Sequence, residues 1–429
     1  MHRRTLFTLF LLGPLLLFAQ NKVQLTIEEA KQRFVEHSPT LLAEQQNIDI
    51  SKTKIQQAKA LENPNFSLEQ LNLWSTSSQR GHQDELIPPI VGRLGKNRQF
   101  SLSLTQPIRT GGKRGKEIAI ARIENKIAIE DFSKVQRLLT KEFAQQIYEL
   151  IYGERLINLT KEQIQILSKI ASKYRELYQR GYETQASYLR FQSELDLLNH
   201  ELIELESDYN KLARGVKREL HLPSSDELVF IQEPSGELPL LSAEELVKQS
   251  QQYRPEINTS KLYQEQLLKE LSLEKAQRIP NMEISASYDR FGGVWKDFIG
   301  FGVSFDLPIF NRNKGGIKQQ QLLALQQEAH QQILQNSIKD EVLSIYHSYL
   351  NWRDFNKKLD QENPLNQHSE LLQKYADNLL NKNISILEFF DFINSYKEHM
   401  HTRFTALKQQ DILYEELCYA ACLTNSTIR

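Results

Sequence analysis

The stretch Gln99-Phe100-Ser101-Leu102-Ser103-Leu104-Thr105-Gln106-Pro107-Ile108 alternates apolar and polar side chains and then runs into Arg109-Thr110-Gly111-Gly112-Lys113-Arg114. Successive side chains of a strand point to opposite faces. Phe100, Leu102 and Leu104 therefore share one face, and Gln99, Ser101, Ser103 and Thr105 share the other. The pattern returns about 201 positions later. There Ile299, Phe301, Val303, Phe305 and Leu307 oppose Gly300, Gly302, Ser304 and Asp306. Gln106-Pro107-Ile108 is matched by Leu307-Pro308-Ile309, and the glycine turn by Asn311-Arg312-Asn313-Lys314-Gly315-Gly316. Self-similarity of this kind governs the reading of everything around it.

Working outward, the duplication extends over the chain. Leu25-Thr26-Ile27-Glu28-Glu29-Ala30 is matched by Leu241-Ser242-Ala243-Glu244-Glu245-Leu246, Ser38-Pro39 by Arg254-Pro255, and Asn63-Pro64-Asn65 by Ile279-Pro280-Asn281. These pairs share an offset of about 216, so the first copy carries about 15 extra residues, which fall in the polar stretch Ser75 to Lys96. Surface loops tolerate such insertions. Each copy reads helix, helix, strand, strand, long helix, long helix, dividing the chain into repeats at 21–223 and 224–429. Thr26 and Ser242 are N-cap candidates with acids in the following turn. The second helix of each copy must stop before Pro64 or Pro280.

Two further segments behave as strands. In Asn281 to Arg290, Met282, Ile284, Ala286 and Tyr288 oppose Glu283, Ser285, Ser287 and Asp289. Asn65 to Trp74 is less regular. At about 9–10 residues each, these strands have the length of tilted membrane spans, apolar toward lipid and polar toward a lumen. A soluble sheet with one wet face gives the same alternation. The barrel reading is favoured because this count gives only four strands and leaves no helix of matching size to cover them. Aromatic residues also gather near the strand ends: Trp74, Phe291, Trp295, Phe298 and Phe310. Four strands cannot close, since the smallest membrane barrels use about eight. Strands must be pooled between subunits, eight from a dimer or twelve from a trimer.

The helices are long. Lys116 to Arg180 contains no proline and a single glycine, Gly153, and would reach roughly 100 Å at the α-helical rise. A partner returns from Thr184 to about Leu220. In the second copy Ile317 to Asn381 runs out, interrupted by Pro364, and Ile384 to about Thr424 returns. Phe132, Val135, Leu139, Ile147 and Leu150, and likewise Leu195, Leu198, Leu202 and Leu205, recur at coiled-coil spacing. The two hairpin tips align at the same offset, Arg180-Gly181-Tyr182-Glu183-Thr184 on Asn381-Lys382-Asn383-Ile384-Ser385. Thr184 and Ser385 are hydroxyl caps of the returning helices.

Bulk properties narrow the class. His2-Arg3-Arg4, an apolar run from Thr5 to Phe18 and the small Ala19 have the order of a secretory signal peptide, residues 1–20. The chain has 13 prolines and 17 glycines and a mean hydropathy of -0.51, a make-up suited to long helices. A net charge of -1 offers nucleic acid no basic face. Cys418 and Cys422 lie four apart on a helix, a spacing poorly oriented for a disulfide, so a structural role is expected. His399-Met400-His401 invites a metal, yet residues two apart point to different helix faces. The corners Gly111-Gly112 and Gly315-Gly316 lack phosphate-loop spacing. They read as tight strand-to-helix turns whose basic neighbours lie where lipid phosphates would be. No constellation for an enzyme, a cofactor or a resident metal is present.

The doubled layout, the Asn63-Pro64 approach to the strand and the tip Ile384-Ser385-Ile386-Leu387-Glu388-Phe389-Phe390-Asp391 resemble the TolC-type outer-membrane efflux family over essentially the whole mature chain. Leu104 to Arg114 and Asp306 to Gly315 resemble its heavy-metal (cobalt–zinc–cadmium type) branch. The resemblance implies a mainly α fold with a small β part. A long coiled-coil α-helical barrel would cross the periplasm, and four membrane-spanning β-strands per chain would complete a twelve-stranded barrel in the outer membrane as a homotrimer. It also implies a periplasmic adaptor (membrane fusion) protein docked at the helical tips and an inner-membrane RND-type pump driving the cargo. On this reading the chain is a passive exit duct, for heavy-metal cations first. Multidrug or small-molecule efflux and type I secretion are the alternatives, and a surface coiled-coil protein is the rival from another class. The family narrows its tunnel with acids just past the second tip. The matching positions are Glu388 and Asp391, which share one helix face; threefold symmetry would gather six carboxylates into a cation-attracting ring. Docking would fall to Gly181, Tyr182, Thr184, Ser385 and Ile386. At the second tip, where the family often has a small residue or glycine, the chain has Lys382-Asn383, and Asn383 is expected to take the left-handed position.

Overall fold

In the computed structural model, residues 22–71, 99–231, 241–290, 297–362 and 368–423 are described. The expected signal peptide, the inserted stretch Ser75 to Lys96, and Trp74, Phe291, Trp295 and Pro364 lie outside them. The first half runs β1 (Lys22–Thr26), α1 (Ile27–His37), α2 (Pro39–Lys59), β2 (Asn65–Leu71), β3 (Gln99–Ile108), α3 (Lys113–Gln179) and α4 (Gln185–Glu219). The second runs β4 (Glu227–Ile231), α5 (Ala243–Tyr253), α6 (Pro255–Ala276), β5 (Met282–Asp289), β6 (Phe298–Phe305), α7 (Lys314–Glu362), α8 (His368–Leu380) and α9 (Ile386–Ala421). The chain is mainly helical with a small sheet component, and α3 alone has 67 residues.

The expectation of only four strands is corrected by β1 and β4. These five-residue segments pair in parallel, Lys22 with Glu227 through Thr26 with Ile231. Neither is long enough to carry a strong period, and each needs a partner from the other half of the chain, which local pattern cannot reveal.

Contacts gather into two units. The helical unit comprises Val135–Gln252 and Ile338–Arg429 with the N-terminal stretch to Glu44; the sheet unit comprises Gln45–Lys134 and Tyr253–Ser337. Both draw on each half of the sequence, so compactness does not follow the repeats. The helical unit has a continuous core that includes Phe34, Phe143, Ile147, Leu167, Phe191, Leu198, Val216, Leu372 and Phe389. Phe34 of α1 stacks on Phe143 of α3 at 4.4 Å. Some of the polar groups buried in this unit are paired between helices, while the Gln163 amide meets no partner among the described residues. Lys31 donates to Glu415 at 2.9 Å, and the Tyr152 hydroxyl donates to Asp411 at 2.8 Å.

The sheet unit holds an antiparallel sheet of order β2-β3-β5-β6. Register places Phe66, Leu104, Ala286 and Phe301 in one row, and Ser67, Ser103, Ser287 and Gly300 in the next. The two faces therefore have opposite character, as the alternation requires. The apolar face is bare, with Phe66 64% and Phe301 85% exposed. Asn65 at the start of β2, Ile108 at the end of β3, Met282 at the start of β5 and Phe305 at the end of β6 lie toward the same edge. All four junctions with helices thus leave from one side of the sheet.

Left-handed residues recur along the chain with the sequence. Gly112 and Asn313, Gly181 and Lys382, and His221 and Cys422 are each about 201 apart, and all six have φ between +52° and +76°. The backbone repeats even where the residue type does not.

Candidate functional site at the helical tips

At the first tip α3 ends in a turn whose hinge is Gly181, at φ +76°. The amide of Tyr182 reaches back to the Leu177 carbonyl at 2.9 Å, and that of Gly181 to Tyr178 at 3.0 Å. This is the bonding of a left-handed helix end, which satisfies the last carbonyls. Thr184 then caps α4, its hydroxyl accepting from the Ser187 amide at 3.1 Å. The second tip repeats the arrangement. Asn383 donates to Asn378 at 2.9 Å and Lys382 to Leu379 at 3.0 Å. Here the sequence reading is corrected: Lys382, at φ +61°, takes the left-handed position and Asn383 does not. The hinge is set by the distance from the last helical carbonyls, so it falls on the counterpart of Gly181 whatever side chain stands there.

The docking candidates differ in surroundings. Tyr182 is 71% exposed, and Gly181, Thr184 and Ser385 are exposed. Ile386 is half-buried and packs on the core. Lys382 Nζ lies 3.9 Å from Glu183 Oε1, an ion pair joining the two tips. Behind them Tyr178 and Tyr188 stack at 6.2 Å.

Glu388 and Asp391 are both exposed on α9, while Phe389 and Phe390 between them are buried. Both phenyl rings pack on Phe191 of α4, at 6.3 Å and 5.0 Å, which fixes the face that the acids present. Glu388 has a local partner that sequence reasoning missed. Its carboxylate accepts from the Ser385 amide at 2.7 Å, and its own amide donates to the Ser385 hydroxyl at 3.2 Å. These bonds, the backbone one foremost, hold its carboxyl below the usual range. The signal was present as Ser385-x-x-Glu388, the spacing of a capping box. Thr26 with Glu29 and Ser242 with Glu245 form the same reciprocal pair.

The strand-to-helix corners belong to the sheet unit. Gly111 and Gly112 have φ of +66° and +67°. A Cβ on Gly111 would meet the Ile279 side chain at 3.1 Å. The second corner departs from expectation: Gly315 and Gly316 lie in the first turn of α7, and Asn313 takes the left-handed residue at φ +52°. Gly316 is constrained by space instead, since a Cβ there would come within 2.6 Å of Asn313 Oδ1 and 2.7 Å of Glu274 Oε2.

Among the described residues no group of three or more His, Cys, Asp or Glu is arranged to hold a metal. Met400 is buried and His401 exposed, so the His399-Met400-His401 run is split between faces. Cys418 and Cys422 are not joined in a disulfide. Burial, followed by the charge of Glu415, pushes the Cys418 thiol up to about 12. Cys422 is the left-handed C-cap of α9.

Comparison with known proteins places these features in a family context. Residues 14–215 match the model described as outer membrane efflux protein. The nickel-cobalt-cadmium resistance protein NccC of Alcaligenes xylosoxydans xylosoxydans is 23% identical over 298 residues, covering 67% of this chain and 61% of NccC. The aligned part thus spans less than two thirds of that relative. Among solved structures, CusC, described in terms of transmembrane channel formation, superposes with a TM-score of 0.69 at 14% identity, covering 94% of this chain and 93% of CusC. The outer membrane protein VceC of Vibrio cholerae gives 0.67 at 15% identity, covering 92% and 95%. The fold is that of channel proteins, and the resemblance to outer-membrane efflux proteins, with a metal-resistance protein among the relatives, stands.

Proposed function

We propose that this chain, which matches the outer membrane efflux protein family over its first repeat and has the fold of outer-membrane channel proteins along its length, is the exit duct of a tripartite efflux system. The observation that carries the reading is the sheet. Its apolar face is bare, its other face is lined by serine, threonine and glycine with the acids Glu69, Glu283 and Asp289, and all four helix junctions leave from one edge. Such a sheet is stable with lipid against one side and water against the other, but four strands leave two open edges that lipid does not tolerate. Three copies supply twelve strands and close it. The helices then extend from one rim of the barrel into the periplasm, and each sequence repeat contributes two strands and one hairpin.

The duct performs no catalytic step. Its cargo is driven by an inner-membrane RND-type pump and delivered through a periplasmic adaptor that meets the tips around Gly181, Tyr182, Thr184, Ser385 and Ile386. Heavy-metal cations are the first cargo, a reading supported by the name of the NccC relative; other small toxic molecules are the second. At the aperture three copies of Glu388 and Asp391 form an acidic ring that attracts cations and narrows the passage. A duct needs no high-affinity metal site, because tight binding slows exit.

Planar-bilayer conductance of the detergent-extracted oligomer tests this, wild type against a Glu388→Gln/Asp391→Asn double variant. The expected wild type passes a small cation-selective current, and the variant passes more current or loses selectivity. Identical behaviour of the two would keep the duct and remove the gate assignment. A folded oligomer that never conducts would overturn the export reading in favour of a surface coiled-coil protein.

A further inference from the structure

The two strand-to-helix corners occupy matching positions in the repeats, yet their charges are handled differently. At the first, Arg109 donates to Glu62 at 2.6 Å and also to Glu117. Lys113 is 4% exposed and donates to the Ile279 carbonyl at 2.7 Å and to Asn281 Oδ1 at 2.8 Å. Arg114 donates to the Lys59 carbonyl. Arg109 is ion-paired, whereas Lys113 and Arg114 are held by neutral oxygens of the fold.

At the second corner the counterpart of Arg109 is Phe310, that of Lys113 is Lys314, and that of Glu117 is Lys318. The internal acid has become a base and the paired arginine an aromatic ring. Phe310 is 99% exposed, beside Ile309 at 59% and Leu307 at 65%. Arg312, Lys314 and Lys318 are exposed and form no ion pair among the described residues. Of the acids near by, Glu274 is engaged by Asn313 and Asp306 is exposed.

A fully exposed aromatic flanked by apolar residues is unfavourable in water, whereas the three exposed cations that follow it are well solvated there. Together they suit a membrane–water boundary, where the ring enters the acyl region and the bases meet phosphate. We propose that the β6–α7 corner, Phe310 with Arg312, Lys314 and Lys318, binds the headgroup phosphate of an anionic phospholipid in the leaflet facing the helices. The first corner, whose Arg109 is ion-paired and whose Lys113 is buried, does not. The inference rests on the reading that the sheet lies in a membrane. Arginine and lysine divide the task, since the guanidinium can grip two phosphate oxygens while each ammonium acts as a point charge.

Native mass spectrometry of the full-length oligomer, equilibrated with equal amounts of phosphatidylglycerol and phosphatidylethanolamine, reads the site directly. Wild type is expected to retain phosphatidylglycerol preferentially. An Arg312→Gln/Lys314→Gln/Lys318→Gln variant should lose that preference by about five-fold or more, the scale of one base at an anionic surface, and Phe310→Ser should weaken it. A charge-matched Lys211→Gln/Lys261→Gln/Lys269→Gln control should leave it unchanged. Equal retention by the corner variant and wild type would overturn the assignment. So would release of the lipid by millimolar inorganic phosphate, which would make the corner a site for free phosphate, or a changed copy number, which would make it a subunit contact. Conductance recorded on the same samples keeps the two readings apart: a conducting channel with unaltered lipid retention sinks the corner alone, and a silent wild type sinks the duct.

Discussion

At Lys382 the backbone adopts a left-handed conformation that costs an L side chain roughly 1–2 kcal/mol. Lys382→Gly relieves that strain and gives up a long ion pair between an exposed lysine and the half-buried Glu183, worth about 0–1 kcal/mol. The variant is expected to raise the stability of the oligomer in detergent by about 1 kcal/mol, read from its denaturant midpoint, and Gly181→Ala to lower it by a similar amount. A midpoint that falls in Lys382→Gly would mean that the tip-to-tip ion pair outweighs the strain. Glycine at 181 is readable from sequence as a hinge; lysine at 382 is not, because nothing in its chemistry favours positive φ. Only its register with Gly181 reveals it. Cys422 is a similar case, holding the left-handed cap that His221 holds in the first half. Glu388 was legible as an acid at the expected aperture, and its hydrogen bonds to Ser385 give it a second, local occupation.

Among the elements, helix limits were the most legible feature, because caps are local. Thr184, Ser385, Thr26 and Ser242 each accept the amide bond expected of them. Packing between helices was legible as a stripe but not as partners. Phe191 shows the difference: fully buried, it meets Tyr174 at 4.5 Å as well as both phenyl rings beside Glu388. Phe191→Ala should therefore cost about 3–5 kcal/mol, since a large buried aromatic leaves a cavity, and should loosen the tip end first. Hydrogen exchange by mass spectrometry checks this, with faster exchange concentrated in 185–200 and 386–396. Uniformly faster exchange would show that the aromatic layer does not define a local unit. The pair β1 and β4 lay beyond sequence reading for the opposite reason, being short and joined only through a distant partner.

For the whole molecule, the proposed duct turns on how many chains would share one barrel. Native mass of the detergent-extracted protein is expected to give three copies, and a dimer would require an eight-stranded barrel and an aperture of four acids. By itself the sequence determined the doubled order of elements, the alternation of the strands and the positions of helix caps. These depend on residue spacing within a few turns or on comparison of one half of the chain with the other. Tertiary structure alone decided that all helix junctions share one sheet edge and that β1 pairs with β4. It also decided that the bases of one corner are held by groups of the fold while those of the other face solvent. Each of these is a matter of which distant groups come within hydrogen-bonding reach, and a local pattern carries no record of that distance.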